Sequence, residues 1–199
     1  AIGLRVLWPG IAEFKLDEVE PLTLADQIWT EHRLPVTRGW TSVGLPGTPL
    51  IGYLLVLPRA VSRDPRLAVA FMGLLGGLGG LVTYLAVRRF AGERLALLAT
   101  ALYGVNPWAV FLARKTWSEV QPVLGILTLW AAYEVVVRRR PAWAWGFVAF
   151  AALQVQCHVL AVLYLPAMLL TVALFWPRWR NRHTLAAAGL GMLILSPYL

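Results

Sequence analysis

The 199-residue chain has little charge, little sulfur and few acidic residues. Its single cysteine, Cys157, excludes an intrachain disulfide. Only 14% of the residues are Asp, Glu, Lys or Arg, about half the charged fraction of a typical soluble domain, and 59% are hydrophobic. The apolar residues form long runs of the length that a helix needs to cross a bilayer core of about 30 Å. This composition argues against a water-soluble monomer and predicts an all-α, polytopic transmembrane helical bundle.

The positive charge is concentrated in arginine clusters. The net charge of +8 comes from sixteen arginines and two lysines against ten acidic residues. A basic face spread over a folded surface is missing, so we expect no nucleic-acid partner. Clusters between apolar runs are instead typical of cytoplasmic loops under the positive-inside rule. The preference for arginine over lysine suggests a GC-rich bacterial source. The clusters are Arg88, Arg89 and Arg94; Arg138, Arg139 and Arg140; and Arg178, Arg180 and Arg182.

The apolar runs predict two regions. Residues 1–66 are expected to hold the end of a first transmembrane helix and an outer loop with short interfacial helices. Residues 67–199 are expected to form about six spans or half-spans that continue past residue 199. The predicted spans are residues 67–87; 95–105, with a break at Asn106 and Pro107; 117–137; 142–176, as two helices that turn near residues 156–158; and 184–199.

The outer loop, residues 8–64, is rich in proline and carries seven of the ten acidic residues. Within it, Leu24, Ile28, Trp29 and Leu34 recur at helical spacing, which predicts an amphipathic interfacial helix over residues 24–34. Residues 49–62 are too short to span comfortably, and a re-entrant, an interfacial and a helix-extending arrangement all remain open.

Five glycines lie within residues 67–87. A nucleotide-binding loop would need a preceding strand and a phosphate-binding Lys or Ser/Thr in register, and both are missing. The glycines therefore predict close packing of this helix against its neighbours. They are Gly73, Gly76, Gly77, Gly79 and Gly80.

Each span reverses the side of the membrane, so the order of the spans predicts which residues share a side. With Arg88 and Arg89 inside, all three arginine clusters fall inside. The chemically interesting residues then fall together on the periplasmic or extracellular side of a cell (inner) membrane. They are Asp17, Glu18, Arg114, Lys115, Glu119, His158 and Tyr198. Arg59, Arg63 and Arg66 are exceptions on the outer side, where Asp64 can pair with one of them.

Carboxylates from two loops that face one cavity can act as a general base and as ligands of a divalent cation, and nearby cations can hold a phosphate. Each residue also has a simpler interpretation. Asp17 and Glu18 could be solvated loop acids, and Lys115 and Glu119 could be an i, i+4 pair on a helix surface. His158 could be a hydrogen-bonded residue at a helix end, since the four-ligand spacing of a structural metal site is absent.

The order of these features resembles the GT-C superfamily of glycosyltransferases. Within this superfamily, the chain is similar to the N-terminal half of bacterial membrane proteins that resemble dolichyl-phosphate-mannose-protein mannosyltransferases. This branch is glycosyltransferase family 39-like. The matching elements cover nearly the whole chain. They are Leu16-Asp17-Glu18, residues 25–35, Ser42-Val43-Gly44 with Pro49-Leu50, Asn106-Pro107 with Arg114 and Ser118-Glu119, residues 154–158, and Ser196-Pro197-Tyr198.

The resemblance implies transfer of a sugar from a polyprenyl-phosphate-linked donor to an acceptor hydroxyl on the outer side of the membrane. It implies that Asp17 is the catalytic base and that Glu119 is a second catalytic acid. It places Arg114, Lys115 and His158 near the substrate or its phosphate, and it makes Glu18 and Glu119 candidate ligands of a divalent metal ion. Membrane lipid and the lipid-linked donor are the expected partners.

Two other functions fit the sequence less well. A non-catalytic transmembrane subunit of a larger membrane complex would contribute contacts only, and its cavity near Asp17 and Glu119 would be occluded or would lack convergent polar groups. A transporter of a lipid-linked substrate would need ionisable residues in mid-span and discontinuous helices, whereas the spans here carry almost no internal charge.

Overall fold

The computed structural model describes residues 2–12, 14–40, 44, 46–116 and 121–196. About 80% of the chain is helical, which confirms the predicted all-α class. Short 3₁₀ turns occur at Pro9–Ile11, Pro141–Trp143 and Val159–Tyr164, and Arg38–Trp40 (β1) pairs antiparallel with Pro46–Gly47 (β2). The α-helices are Ile2–Val6 (α1), Leu16–Glu31 (α2), Leu50–Val61 (α3), Pro65–Ala91 (α4), Glu93–Val105 (α5), Pro107–Leu112 (α6), Gln121–Val136 (α7), Ala144–Cys157 (α8), Leu165–Leu174 (α9), Trp176–Trp179 (α10) and Arg182–Leu195 (α11).

Helix α4 is the centre of the fold and packs against α1, α3, α5 and α7. The Asp64 carboxylate caps its start by accepting the Arg66 backbone N–H, and Pro65 occupies the first turn. It ends at Gly92, whose φ of 88° suits a residue without a side chain. Its 27 residues extend over ~40 Å at 1.5 Å per residue, enough to cross a bilayer core.

The glycines of α4 pack against neighbouring helices, as predicted. A Cβ atom added to Gly73 would overlap the backbone of Arg5 in α1, and one added to Gly79 would overlap the Tyr103 side chain in α5. The opposite face of α4 is a row of exposed leucines, which suits a lipid-facing surface. These are Leu74, Leu78, Leu81 and Leu85.

The predicted breaks in the apolar runs are also present. Asn106 ends α5 and caps α6, and Pro107 begins α6. The run over residues 142–176 turns at His158, between α8 and the 3₁₀ turn that leads into α9.

Contacts between helices show which helices run parallel and which run antiparallel. Helices α4 and α7 run parallel, because Gly79 lies near Val123 and Arg89 bonds to Glu134. Helix α8 runs against α7, since Gln154 bonds to Thr128 while Trp143 stacks on Trp130. The residues around Arg89 and Arg140 therefore meet at one end of the bundle, and the α8 end at His158 lies at the other.

The structure corrects the prediction for the acidic loop. The predicted helix over residues 24–34 begins at Leu16 and ends at Glu31, and Leu34 lies outside it and is exposed. The start was missed because Pro21 suggested a boundary, although this helix contains it. Asp17 and Glu18 therefore lie in the first turn of a helix. Helix α2 buries Leu22 and Ala25 against α3 and α4.

The predicted number of spans is not established. Within the described ranges, α4 is the one helix that is long and apolar enough to cross a membrane. The other apolar helices are shorter, between 10 and 17 residues.

Candidate active site

The first turn of α2 carries the candidate catalytic acids. Lys15 precedes the helix in an extended conformation, and its backbone N–H donates to Glu18 Oε2 at 2.8 Å. Two acids in the first turn also complement the positive end of the helix dipole. Local chemistry thus explains why the helix begins at Leu16.

Glu18 forms a buried ion pair with Lys115, which comes 97 residues later in the chain. Lys115 Nζ lies 2.5 Å from Glu18 Oε1, and the two side chains are 6% and 2% exposed. The Thr116 hydroxyl adds a hydrogen bond to the Glu18 carbonyl oxygen at 2.9 Å. The first turn of α2 is therefore fixed to the segment that follows α6.

The pair keeps Glu18 ionised. Burial is the largest single influence and by itself would raise the pKa of Glu18. The hydrogen bond from Lys115, the Lys15 backbone N–H and the Lys115 charge act in the opposite direction and outweigh it. The pKa of Glu18 consequently lies below its usual value of 4.5.

Asp17 differs sharply from Glu18, its neighbour in the sequence. Its side chain is exposed, and among the described residues its carboxylate takes part in no hydrogen bond or ion pair. Consecutive side chains on an α-helix point about 100° apart, so burying Glu18 turns Asp17 outward. The Asp17 carboxylate is therefore accessible to a bound molecule.

Arg114 lies beside the pair and ties α6 to the segment after α1. Its Nη2 donates to the carbonyl oxygens of Leu7 and Trp8 at 2.7 and 2.6 Å. Its Nε is buried and has no hydrogen-bond partner within the described part of the chain. Arg114 and Lys115 line a cavity of about 470 Å³ whose other walls, such as Leu4 and Val110, are almost all apolar.

His158 caps the 3₁₀ turn after α8, where its Nδ1 accepts the Leu160 N–H at 3.2 Å. Burial lowers the pKa of His158, and the charge of Arg38 lowers it further, so the ring is neutral at pH 7. Arg38 in turn lies 3.6 Å from the Glu20 carboxylate on α2. Arg38 therefore lies between His158 and helix α2. A role of His158 at the substrate stays a prediction.

Glu119, the predicted acid of the second loop, and Tyr198 lie outside the described residues. The metal prediction can be examined only in part for the same reason. The described ranges contain no group of three or more His, Cys, Asp or Glu residues that could hold a metal ion. Both oxygens of Glu18 accept hydrogen bonds, one from Lys115 and one from the Lys15 N–H, so a cation of the chain already compensates the Glu18 charge, and its role as a metal ligand stays a prediction.

Several polar contacts escaped prediction. Arg59 forms a bidentate pair with Asp26 on α2, at 2.8 and 2.6 Å, while Asp64 caps α4. The opposite charges of Asp26 and Arg59 gave no signal, because 33 residues separate them. At the other end of the bundle, Glu134 bonds to Arg89 at 2.6 Å and lies 3.3 Å from Arg140.

A second cavity lies away from these charges, between α7, α8 and α9. Its volume is about 490 Å³ and its lining is mainly apolar, with Thr128, Gln154, Tyr164 and Thr171 as the polar members. No sequence pattern predicts this cavity, because its walls come from three separate helices.

A long apolar helix with an outward leucine face is typical of a helical membrane protein. The family described as dolichyl-phosphate-mannose-protein mannosyltransferase matches residues 46–199. The chain belongs to this family of membrane-embedded glycosyltransferases, as its motifs suggested. No curated protein and no solved structure matches it. The matched region includes Arg114, Lys115, Glu119 and His158, whereas Asp17 and Glu18 precede it.

Proposed function

We propose that the chain transfers a sugar from a polyprenyl-phosphate-linked donor to an acceptor hydroxyl, with Asp17 as the base. Family membership supports the coarse activity, glycosyl transfer in a membrane. The observation that supports this particular site is the contrast within the first turn of α2, where Glu18 is buried and paired while Asp17 is exposed and, within the described ranges, unpaired. We place the site at the outer face of a multi-pass inner membrane, opposite the arginine clusters.

In the proposed reaction the acceptor oxygen bonds to the anomeric carbon of the donor sugar while the bond from that carbon to the phosphate oxygen breaks. The hydroxyl proton passes to the Asp17 carboxylate. The electron pair leaves with the lipid phosphate, whose added negative charge the Arg114 guanidinium stabilises from the wall of the cavity. A single displacement of this kind inverts the anomeric configuration.

We derive no step through a metal ion, because Lys115 already compensates the charge of Glu18 and because Glu119 lies outside the described residues. A divalent cation held with the help of Glu119 stays a prediction. His158, neutral at pH 7, would serve as a hydrogen-bonding group at the edge of the site.

The test is Asp17→Asn, assayed in membranes with radiolabelled polyprenyl-phosphate-mannose as the donor. Since a general base contributes about 10² to 10⁴-fold to a rate, transfer should fall by about that factor. The amount of folded protein should not change, because Asp17 is exposed.

Glu31→Gln is the matched control, an exposed acid in the last turn of the same helix whose partner is Arg33. It should keep full activity. Full activity in Asp17→Asn would remove Asp17 from the mechanism.

A non-catalytic subunit remains the second candidate, and one observation favours it: the paired state of Glu18, which leaves few convergent free polar groups among the described residues. It predicts that the wild-type chain transfers no sugar in the same assay.

A further inference from the structure

Among the hydrogen bonds of Glu18 within the described ranges, three fix its side chain and its carbonyl oxygen, and two of these come from the segment after α6. We call this set of three the Glu18 clamp. It consists of the Lys115 ammonium on Glu18 Oε1 at 2.5 Å, the Thr116 hydroxyl on the Glu18 carbonyl at 2.9 Å, and the Lys15 N–H on Glu18 Oε2 at 2.8 Å. The clamp holds both the side chain and the backbone of Glu18. Asp17 is the adjacent residue in the same turn.

The geometry of Lys115 does not suit a phosphate ligand. Its side chain is 6% exposed, its ammonium contacts the Glu18 carboxylate, and it lies 5.1 Å from the centre of the Phe111 ring. The negative charge of Glu18 offsets the attraction that Lys115 would exert on a phosphate. Arg114, by contrast, is partly exposed and donates its hydrogen bonds to the neutral carbonyl oxygens of Leu7 and Trp8, so no carboxylate of the described residues offsets its charge.

We propose that Lys115 is a positioning residue, which fixes the orientation of the Asp17 carboxylate through Glu18 and does not bind the donor phosphate. This inference rests on the proposed function, in which Asp17 is the base. The sequence had placed Lys115 among the phosphate-binding residues. The clamp instead groups Lys115 with the acidic residues Asp17 and Glu18.

A positioning role has a definite physical consequence. With Lys115 removed, the Glu18 carboxylate stays buried without its counter-ion and must move towards water. Because Glu18 and Asp17 share one helical turn, that movement displaces Asp17 as well. A displacement of about 1 Å at a reacting group can lower a rate by about 10²-fold.

The experiment compares Lys115→Met, Glu18→Gln and the double variant by initial rates of transfer against the concentration of radiolabelled polyprenyl-phosphate-mannose. For Lys115→Met we expect kcat to fall by about 10²-fold while the donor KM changes by no more than about twofold. In the double variant no uncompensated charge is buried, and the amide oxygen that Glu18→Gln introduces can still accept the Lys15 N–H. The double variant should therefore recover about tenfold in kcat over Lys115→Met.

Two outcomes overturn the inference. A raised donor KM in Lys115→Met at unchanged kcat, without rescue by Glu18→Gln, would assign Lys115 to the phosphate. Equal kcat losses in Lys115→Met and in the double variant would show that the charge of Glu18 does not transmit the effect of Lys115 to Asp17.

The surface pair Glu31 and Arg33 gives a matched control at the end of the same helix, since both side chains are exposed and lie 3.1 Å apart. Their single and double variants should leave kcat unchanged. If the wild-type protein transfers no sugar at all, the proposed function fails, and the positioning role fails with it. In that case the melting temperatures of the single and double variants still show whether Glu18 and Lys115 interact. A failure of the proposed function is therefore distinguishable from a failure of the positioning role alone, in which the wild type transfers sugar.

Discussion

The bundle has a buried glutamate at each end, and the two differ in their partners. Glu18 and Glu134 are 2% and 1% exposed. The partner of Glu18, Lys115, is 6% exposed, so both charges of that pair are buried. The partners of Glu134 are Arg89 and Arg140, which are 30% and 55% exposed.

The difference shows that equal burial of an acid does not imply an equal role. At the Glu134 end, one acid lies among several arginines whose long side chains reach water, so the site joins α4 to α7 and keeps a positive surface. At the Glu18 end, one lysine neutralises one of two consecutive acids and leaves the other exposed. The first arrangement anchors helix ends, and in the proposed mechanism the second positions the catalytic base.

The largest expected effect on stability comes from Lys115→Met. Removing one partner of a buried ion pair leaves an uncompensated charge, which should cost about 3 kcal/mol of unfolding free energy. Equilibrium unfolding of the detergent-solubilised protein in mixtures with a denaturing detergent measures this cost.

The control for that measurement is Arg33→Gln, which breaks an exposed pair and should cost less than about 1 kcal/mol. If Lys115→Met were as stable as Arg33→Gln, the Glu18 pair would be no stronger than a surface contact. The contrast between the two ends would then have no energetic basis.

A smaller effect is expected from pH at the Glu18 end. Because the pKa of Glu18 lies below 4.5 in the folded protein, the pair contributes its full stability above pH 4.5, and this contribution is lost as pH falls through the folded value. The melting temperature should therefore fall below pH 4.5, and by less in the double variant Glu18→Gln/Lys115→Met.

Glu31→Gln should keep the wild-type acid sensitivity, since its carboxylate is exposed. An identical acid profile in the wild type and the double variant would show that protonation of Glu18 is not what destabilises the protein.

Hydropathy and local signals predicted the helices better than the contacts between them. The α4 span, its glycine packing, the break at Asn106 and the turn at His158 all depend on residues close in sequence, and all are present. Pro21 obscured the start of α2, although the acids at its first turn were a usable signal of a helix N-terminus.

The buried charges could not be predicted in the same way. Glu18 finds its partner 97 residues later, and Glu134 finds Arg89 45 residues earlier. Neither separation leaves a periodic pattern, because the pairs form only once α4 and its neighbours have packed. The sequence therefore placed the acidic residues on one face without indicating which of them, Asp17 or Glu18, would be buried in an ion pair.

Glu134→Gln gives the smallest expected effect and tests the other end of the bundle. The variant loses the charge that pairs with Arg89 and Arg140, but both arginines are exposed enough to regain hydration. We expect a cost of about 1 kcal/mol, measured by the same unfolding experiment. Glu93→Gln is the control, an exposed acid at the same end whose contact is the Tyr84 hydroxyl at 3.3 Å. A cost as large as that of Lys115→Met would show that burial of the acid alone sets the energy, and that exposure of its partner does not distinguish the two ends.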